Sequence, residues 1–353
     1  MGAGGRFRSS LEAPRRSFGG RSMLMVDGRV EAEFLKMCIP HPRMSHAHRI
    51  YDNLRQMKVL APNKPQRCAC LFAPTHSGKS KTVEAYIETQ IVDELIAEGM
   101  FSAEMDRSEI ARLQRRALHV TLDSKATTKS CYSDILREFN DPHASQGTAT
   151  SLLARVYHHM RKHATQILFL DEIQHMDHRQ TEKDSKPKRA GVCESTAVTD
   201  TLKTMLIRGL VPIVFIGIDE AESMILGDQQ LAARCITKID FRQLRNDVPE
   251  DLEIFLDYLG MLGIKLMQHG LVKEISDLLE KNLPAVIHAV ASGRLGMASR
   301  LVAAACTIAR ERKATSVMAE HVSAAIEEWA IPMGLIDYNP LAQGLHGFER
   351  RAA

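Results

Sequence analysis

The stretch Ala73-Pro74-Thr75-His76-Ser77-Gly78-Lys79-Ser80 decides how this chain is read. An apolar run, Cys68-Ala69-Cys70-Leu71-Phe72, precedes it, and a segment with helical spacing follows. Strand, glycine-bearing loop and helix in that order form the context of a phosphate-binding loop. Gly78 lets the backbone turn successive N–H groups toward an anion. Lys79 puts a charge on the outer phosphates of a nucleotide, and the Ser80 hydroxyl suits magnesium. The residues from Pro74 to Lys81 are therefore the candidate ATP-binding set, with Mg2+ as its companion. The helix opening near Lys79 adds its positive end. Ala73 stands where such loops usually start with glycine. A methyl group there is harmless if the backbone angle is ordinary.

A second stretch completes the reading. Ile167-Leu168-Phe169-Leu170 is an apolar strand that ends on Asp171-Glu172. Open parallel sheets place ligands at the carboxyl ends of their strands. Asp171 is the candidate metal-holding acid beside Ser80. Glu172 is the candidate catalytic acid, placed to orient and deprotonate the attacking water. Phosphoryl transfer also needs positive charge. After the apolar strand Val211–Gly217, Leu231-Ala232-Ala233-Arg234 precedes the next strand, so Arg234 is a candidate to face a neighbouring subunit, with Arg242 and Arg245 as competitors.

The chain has 353 residues, 44% hydrophobic and 25% charged, with a formal net charge of +3. This describes an ordinary globular protein of two or three domains, and the net charge alone makes no case for nucleic acid. The distribution says more. Arg6, Arg8, Arg15, Arg16 and Arg21 face a single acid, Glu12, in a glycine-rich start. Residues 1–45 are read as a basic, disordered arm that either solubilises the chain or contacts DNA. No apolar run approaches the ~20 residues that span a bilayer, and no apolar core follows the Arg15-Arg16 pair of an export signal. The seven cysteines are scattered and odd in number, as in a reduced, cytoplasmic protein. No second cysteine pair stands at zinc spacing.

Strand candidates Arg67–Phe72, Ala117–Leu122, Gln166–Leu170, Val211–Gly217 and Ile236–Phe241 alternate with helical stretches. Among these, Val83, Ile87, Ile91 and Leu95 recur every four residues. The alternation predicts an α/β fold, a parallel sheet covered by helices, over residues 46–246. Residues 247–332 carry only helical periodicity, with candidates Pro249–Gly260, Val272–Lys281, Arg294–Arg312 and Ala319–Trp329. They form an all-helical lid, and 333–353 reads as a flexible tail. Asp177–Glu194 is a long polar loop.

Together these stretches resemble the AAA+ ATPases, and more closely the TniB and TnsC-like ATPases of DNA transposition. The closer likeness rests on Leu118–Leu136, on Leu170-Asp171-Glu172-Ile173-Gln174-His175, and on Pro212–Ala221. It covers about residues 45–330. The resemblance implies an ATP-dependent ring or filament on duplex DNA that delivers target DNA to a DDE transposase, in some cases with a target-selector protein. It assigns Lys79 and Ser80 to phosphate and magnesium, Asp171 to the metal, Glu172 to catalysis, and Arg234 to the trans-acting arginine finger. Two positions depart from the pattern. Ile218 stands where a polar sensor is expected. Gly296, in Gly293-Arg294-Leu295-Gly296, replaces a second sensor arginine, for which Arg300 one turn later is the candidate substitute. Slow hydrolysis is the expectation.

For sequence-independent DNA contact the loop after the second strand offers Lys125, Thr127, Thr128, Lys129 and Ser130. The segment Lys183–Arg189 and the N-terminal arm are rivals. Two other function classes stay open. One is a nucleotide-switched scaffold acting on protein partners only. The other is a helicase-loader or origin-recognition ATPase, which usually adds a winged-helix domain after its lid.

Overall fold

The computed structural model describes residues 27–124, 126–176 and 197–345. Lys125, the whole polar segment 177–194 with Lys183–Arg189, the arginine-rich residues 6–21 and the last eight residues lie outside the described residues.

Five strands form one sheet: β1 (Cys68–Phe72), β2 (Ala117–Thr121), β3 (Ile167–Asp171), β4 (Ile213–Gly217) and β5 (Cys235–Lys238). Their order is β2-β3-β4-β1-β5, and all the pairings are parallel. Continuous apolar strands such as Ile167-Leu168-Phe169-Leu170 are what a sheet covered on both faces requires. Alternate residues feed two cores. Cys70, Phe72, Leu118, Leu168, Leu170 and Phe215 face one layer, and Ala69, Leu71, Phe169, Val214 and Ile216 face the other.

The helices cover these faces in chain order. α1 (Gly28–Lys36) and α2 (Pro42–Leu60) lead into β1. The phosphate-type loop opens α3 (Lys79–Tyr86), which runs through a π turn at Ile87–Ile91 into α4 (Val92–Ala97). Val83, Ile87, Ile91 and Leu95 are all buried, as their spacing predicts. α5 (Arg107–Leu113) precedes β2, and α6 (Thr128–Glu138) and α7 (Ala149–Lys162) join β2 to β3. α8 (Ala197–Ile207) leads to β4, and the short α9 (Glu222–Leu226) and α10 (Gln229–Ala232) lead to β5. Beyond the sheet come α11 (Pro249–Gln268), α12 (Leu283–Ala291), α13 (Leu295–Glu311), α14 (Ala319–Ala325) and α15 (Pro340–Gln343).

Several margins differ from the sequence expectation. Residues 27–45 are not an extended arm. Val30, Met37 and Ile39 are buried in the same cluster as Phe255, Val286 and Leu301 of the lid. Asp27 caps α1 and pairs with Arg310 at 2.9 Å. Residues 28–64 read as helical from sequence, but the sequence does not reveal that the apolar side of α1 has its partner nearly the whole chain away. At the other margin, Ile336 and Asn339 are buried, and Asn339 caps α15 and donates to Ser323. The stretch 333–345 is thus packed rather than free. No helix forms over Val272–Lys281. There the N–H groups of Lys273 and Glu274 both reach the Thr315 carbonyl, and the Ser276 carbonyl lies so close to Gly263 that a Cβ there would stand 2.0 Å from it. The apolar run Leu283–Ala291, not anticipated as a helix, forms α12 instead. β5 starts earlier and ends sooner than Ile236–Phe241, and its edge pairing with β1 shifts register between Cys68 and Cys70.

Candidate nucleotide site

β1 delivers the chain into the loop at the carboxyl edge of the sheet. Ala73 is fully buried, its N–H donates to the Gly217 carbonyl at 3.2 Å, and it is not among the residues with positive φ. The methyl group in place of glycine therefore introduces no strain. His76 (φ 62°) and Gly78 (φ 90°) take the left-handed turns that fold the loop over the start of α3. Gly78 caps that helix without any side-chain hydrogen bond, so its first N–H groups remain open to an anion. Ser77 Oγ is buried and has no partner.

Lys79 is buried, and its ammonium donates to the carbonyls of Ala73 (2.7 Å) and Pro74 (2.8 Å). Burial lowers its pKa, against the pull of Asp171, Glu172 and Asp219. A cation hydrogen-bonded to backbone carbonyls over the loop is poised to exchange them for an anion. Lys81 points elsewhere: its ammonium meets the Leu35 carbonyl at 2.8 Å and Glu84 at 3.3 Å.

Asp171 and Glu172 arrive two strands over, with β4 lying between β1 and β3. Asp171 is buried. One carboxylate oxygen accepts from Ser80 Oγ at 2.6 Å and from His119 Nε2 at 3.1 Å, and the other from the Glu172 N–H at 2.8 Å. Burial alone would raise its pKa, but the bonds from His119 and Ser80 outweigh it and hold the carboxyl below its usual range. Asp171 is thus an ionised acid directly against the Ser80 hydroxyl. Glu172 is half-exposed and sits in the left-handed region at φ 57°. Its carboxylate accepts from Gln174 Nε2 and lies 3.6 Å from His175 Nε2. A non-glycine residue held in that region costs about 1–3 kcal/mol, and such residues cluster at working sites. His119 and Gln174 were not singled out from sequence. A histidine inside the buried strand Ala117–Thr121 was the available signal for the first.

The lid closes the other side. A cavity of about 300 Å³ lies between the loop, the segment after α1 and the helices α11 and α13. Met37, Ile39, His41, Tyr258 and Leu295 line it, and Gly78 of the loop is among its lining residues. Here Gly296 has a steric role: a Cβ on it would stand 2.5 Å from the His76 carbonyl oxygen. Lacking that Cβ, α13 lies directly on the loop. Arg300, exposed on the next turn, lies over the Trp329 ring at 6.0 Å, and its charge helps lower the pKa of His76 after burial.

Arg234 is not part of this cluster. It precedes β5 at the amino edge of the sheet, where its carbonyl accepts from Cys68 N–H at 3.0 Å. The carboxyl edge is a five-residue strand away, about 16 Å. Its Nε is buried and unpartnered, whereas Arg242 and Arg245 are tied to Asp240 and Asp247. In the loop after β2, Thr127 caps α6 in a reciprocal box with Ser130, and Lys129 is exposed. Thr127's hydroxyl is therefore engaged in the fold. Among the described residues no group of three His, Cys, Asp or Glu side chains is arranged to hold a metal alone. A magnesium ion would draw on Ser80 and Asp171 and fill its shell with phosphate and water.

A five-stranded parallel sheet with its phosphate loop, its Asp-Glu strand end and a helical lid defines a P-loop α/β protein of the AAA+ class. The sequence model of the TniB family, described as "Bacterial TniB protein", matches residues 39–239, and the chain belongs to that family. Among curated proteins no sequence match is found. Among solved structures, the chain is similar to the Aeropyrum pernix ORC2 protein in its ADPNP-ADP complexes, with a TM-score of 0.55 and 15% identity over 86% of this chain and 72% of that one. It is also similar to Cdc6p from Pyrobaculum aerophilum (TM-score 0.54, 15% identity, 87% and 72% covered) and to the Aeropyrum pernix ORC1 protein in complex with DNA (0.52, 17%, 82% and 66%). At these identities the likeness is one of fold.

Proposed function

We propose that this TniB-family protein is an ATPase that assembles on duplex DNA with ATP and regulates target selection by a DDE transposase. The observation that carries the reading is the meeting of Lys79, Ser80 and Asp171 at the carboxyl edge of the sheet, with Ser80 Oγ 2.6 Å from the Asp171 carboxylate. ATP would lay its phosphates along the open N–H groups of Gly78–Ser80 and the orphaned Ser77 hydroxyl. Lys79 would exchange the Ala73 and Pro74 carbonyls for the outer phosphates. The residues suit Mg2+, which would neutralise charge on the transferring phosphoryl group. Glu172 orients and deprotonates the attacking water. The base would enter the cavity beside Met37, Ile39 and Tyr258.

Arg234, at the opposite edge, would serve the site of the next subunit, so a ring or filament completes each active centre. The unpartnered Nε supports that reading. Lys129, with Lys125, is the favoured contact to DNA phosphates. A solved structure of similar fold that is a complex with DNA is compatible with this. No described helix is long and apolar enough to cross a membrane, and a cytoplasmic site of action is part of the proposal. The transposase and a target selector are its expected protein partners.

Electron microscopy with duplex DNA and a non-hydrolysable ATP analogue tests the reading. The native chain should form rings or filaments, Lys79→Ala should not, and DNA affinity should fall steeply with salt. Normal assembly by Lys79→Ala would overturn nucleotide control. Assembly indifferent to DNA would favour a scaffold acting on proteins alone.

A further inference from the structure

Position 218 carries isoleucine where a polar side chain is expected next to the transferring phosphate. The end of β4 nevertheless has a polar group over it. Gln174, in the turn Ile173–His175 that follows the Asp-Glu pair, reaches across to β4. Its Oε1 accepts the Ile218 N–H at 3.3 Å, and its Nε2 donates to the Glu172 carboxylate. Chemistry fixes this orientation of the amide, because the backbone N–H can only donate and the carboxylate can only accept. The space for it is made by Gly217. A Cβ there would stand 2.7 Å from Gln174 Oε1 and 2.8 Å from Ile173 Cγ2. The same Gly217 accepts from the Ala73 N–H at the base of the phosphate loop. Loop, strand end and Glu172 are thus joined through one amide side chain.

We propose that Gln174 is the positioning residue for Glu172 and takes the place of the polar side chain that Ile218 lacks. This rests on the ATPase reading above. Glu172 has a half-exposed carboxylate on a flexible side chain, which leaves it more than one rotamer. A single donor tied to the rigid β4 end selects one of them. A displaced general base loses alignment with the water, and misplacement by about 1 Å can cost on the order of 100-fold in rate. In this proposal the glutamine acts through Glu172 and not on the nucleotide itself, since its two amide atoms are taken by the Ile218 N–H and the Glu172 carboxylate. Its effect should therefore fall on kcat and leave ATP affinity alone.

The test measures steady-state ATP turnover and binding of a fluorescent ATP analogue in the full chain with DNA. Gln174→Ala should lower kcat roughly 10- to 100-fold with the analogue affinity unchanged. Gln174→Glu keeps the acceptor for the Ile218 N–H but sets a like charge against Glu172, and it should lose at least as much. The decisive variant adds Ile218→Asn to Gln174→Ala, which should recover a large part of kcat. A merely structural role for Gln174 would not be rescued from position 218. Thermal midpoints and retained analogue binding show that each variant is folded. Equal kcat for Gln174→Ala and the native chain would overturn the inference alone. So would a loss that Ile218→Asn leaves untouched. A native chain that neither binds nor turns over ATP would overturn the ATPase reading and this inference with it.

Discussion

On the phosphate side of the cavity, every candidate residue stands at a strand end or in the turn or helix start that follows it: Ser77, Lys79 and Ser80 after β1, Asp171 and Glu172 at β3, Ile218 after β4. On the lid side, Met37, His41, Tyr258 and Gly296 come from segments that meet only when the chain is folded. The first side is polar and held by short, specific bonds, such as Ser80 to Asp171 at 2.6 Å. The second is apolar, and it is held by contact with a core shared between α1 and the lid helices. Phosphates are anions that backbone N–H groups recognise, so the loop's own conformation suffices. A flat base is recognised by burial, which needs walls from several elements. The two sides should therefore fail differently when altered: the phosphate side in chemistry, the lid side in affinity and stability.

The largest expected effect breaks the phosphate side alone. Glu172→Gln should lower ATP turnover by about 10²–10⁴-fold, the usual contribution of a positioned base, while ATP binding and assembly on DNA persist. Single-turnover kinetics and filament counts would check it. A variant that loses binding as well would show that Glu172 supports the pocket's structure, and the contrast between the two sides would blur.

A smaller effect should come from the lid. Gly296→Val sets a Cβ against the His76 carbonyl, where 2.5 Å is available. The contact is with backbone, so either the loop or α13 must move, a misfit of about 1–3 kcal/mol. ATP affinity should weaken about 10- to 100-fold, and the thermal midpoint of the nucleotide-free chain should drop as well. Isothermal titration and thermal unfolding separate the two. An unchanged affinity would mean that the lid does not press on the loop in solution.

The contrast also governs what the sequence makes legible. The loop and the Asp-Glu pair read directly, because strand, turn and helix follow one another within a few residues and the chemistry sits at the joint. The parallel sheet reads from its unbroken apolar strands for the same reason. The lid wall does not. Met37 and Ile39 stand in a stretch whose upstream charge reads as a disordered arm, and the apolar partners that bury them lie beyond residue 250. His119 and Gln174 escaped notice for a related reason. Each is placed by a partner from another part of the sheet edge, Asp171 at the end of β3 for the first and the Ile218 N–H just after β4 for the second. Likewise Gly296 reads as a missing arginine, whereas the fold uses it as a missing side chain.

The last test, in which only part of the titration window is sampled and the readout is a difference of slopes, sharpens the lid side further, and it concerns His41. This residue caps α2 through Nδ1, which accepts the Met44 N–H at 3.3 Å, and its ring meets Phe241 and Tyr258 edge-on at 5.7 and 6.4 Å. Burial, reinforced by Arg43 and His48, lowers its pKa from 6.5 to about 4. The folded chain therefore keeps it neutral where the unfolded chain takes up a proton. Stability from this group is complete above pH 6.5, declines as pH falls from there toward 4, and amounts to about 3 kcal/mol over the whole window. His48, His76, His163, His288 and His321 also have lowered pKa values and add to the same slope. The informative quantity is thus a difference between two chains. His41→Asn keeps a cap acceptor and removes the titration. Its absolute stability at pH 7.5 should be lower, from lost packing, but its stability should fall less between pH 7 and 5 than that of the native chain. Denaturant unfolding at both pH values checks the slope. Parallel slopes would mean that His41 is hydrated and protonates freely in the folded chain, and a wall open to water at that point would not be the apolar one on which the lid side depends.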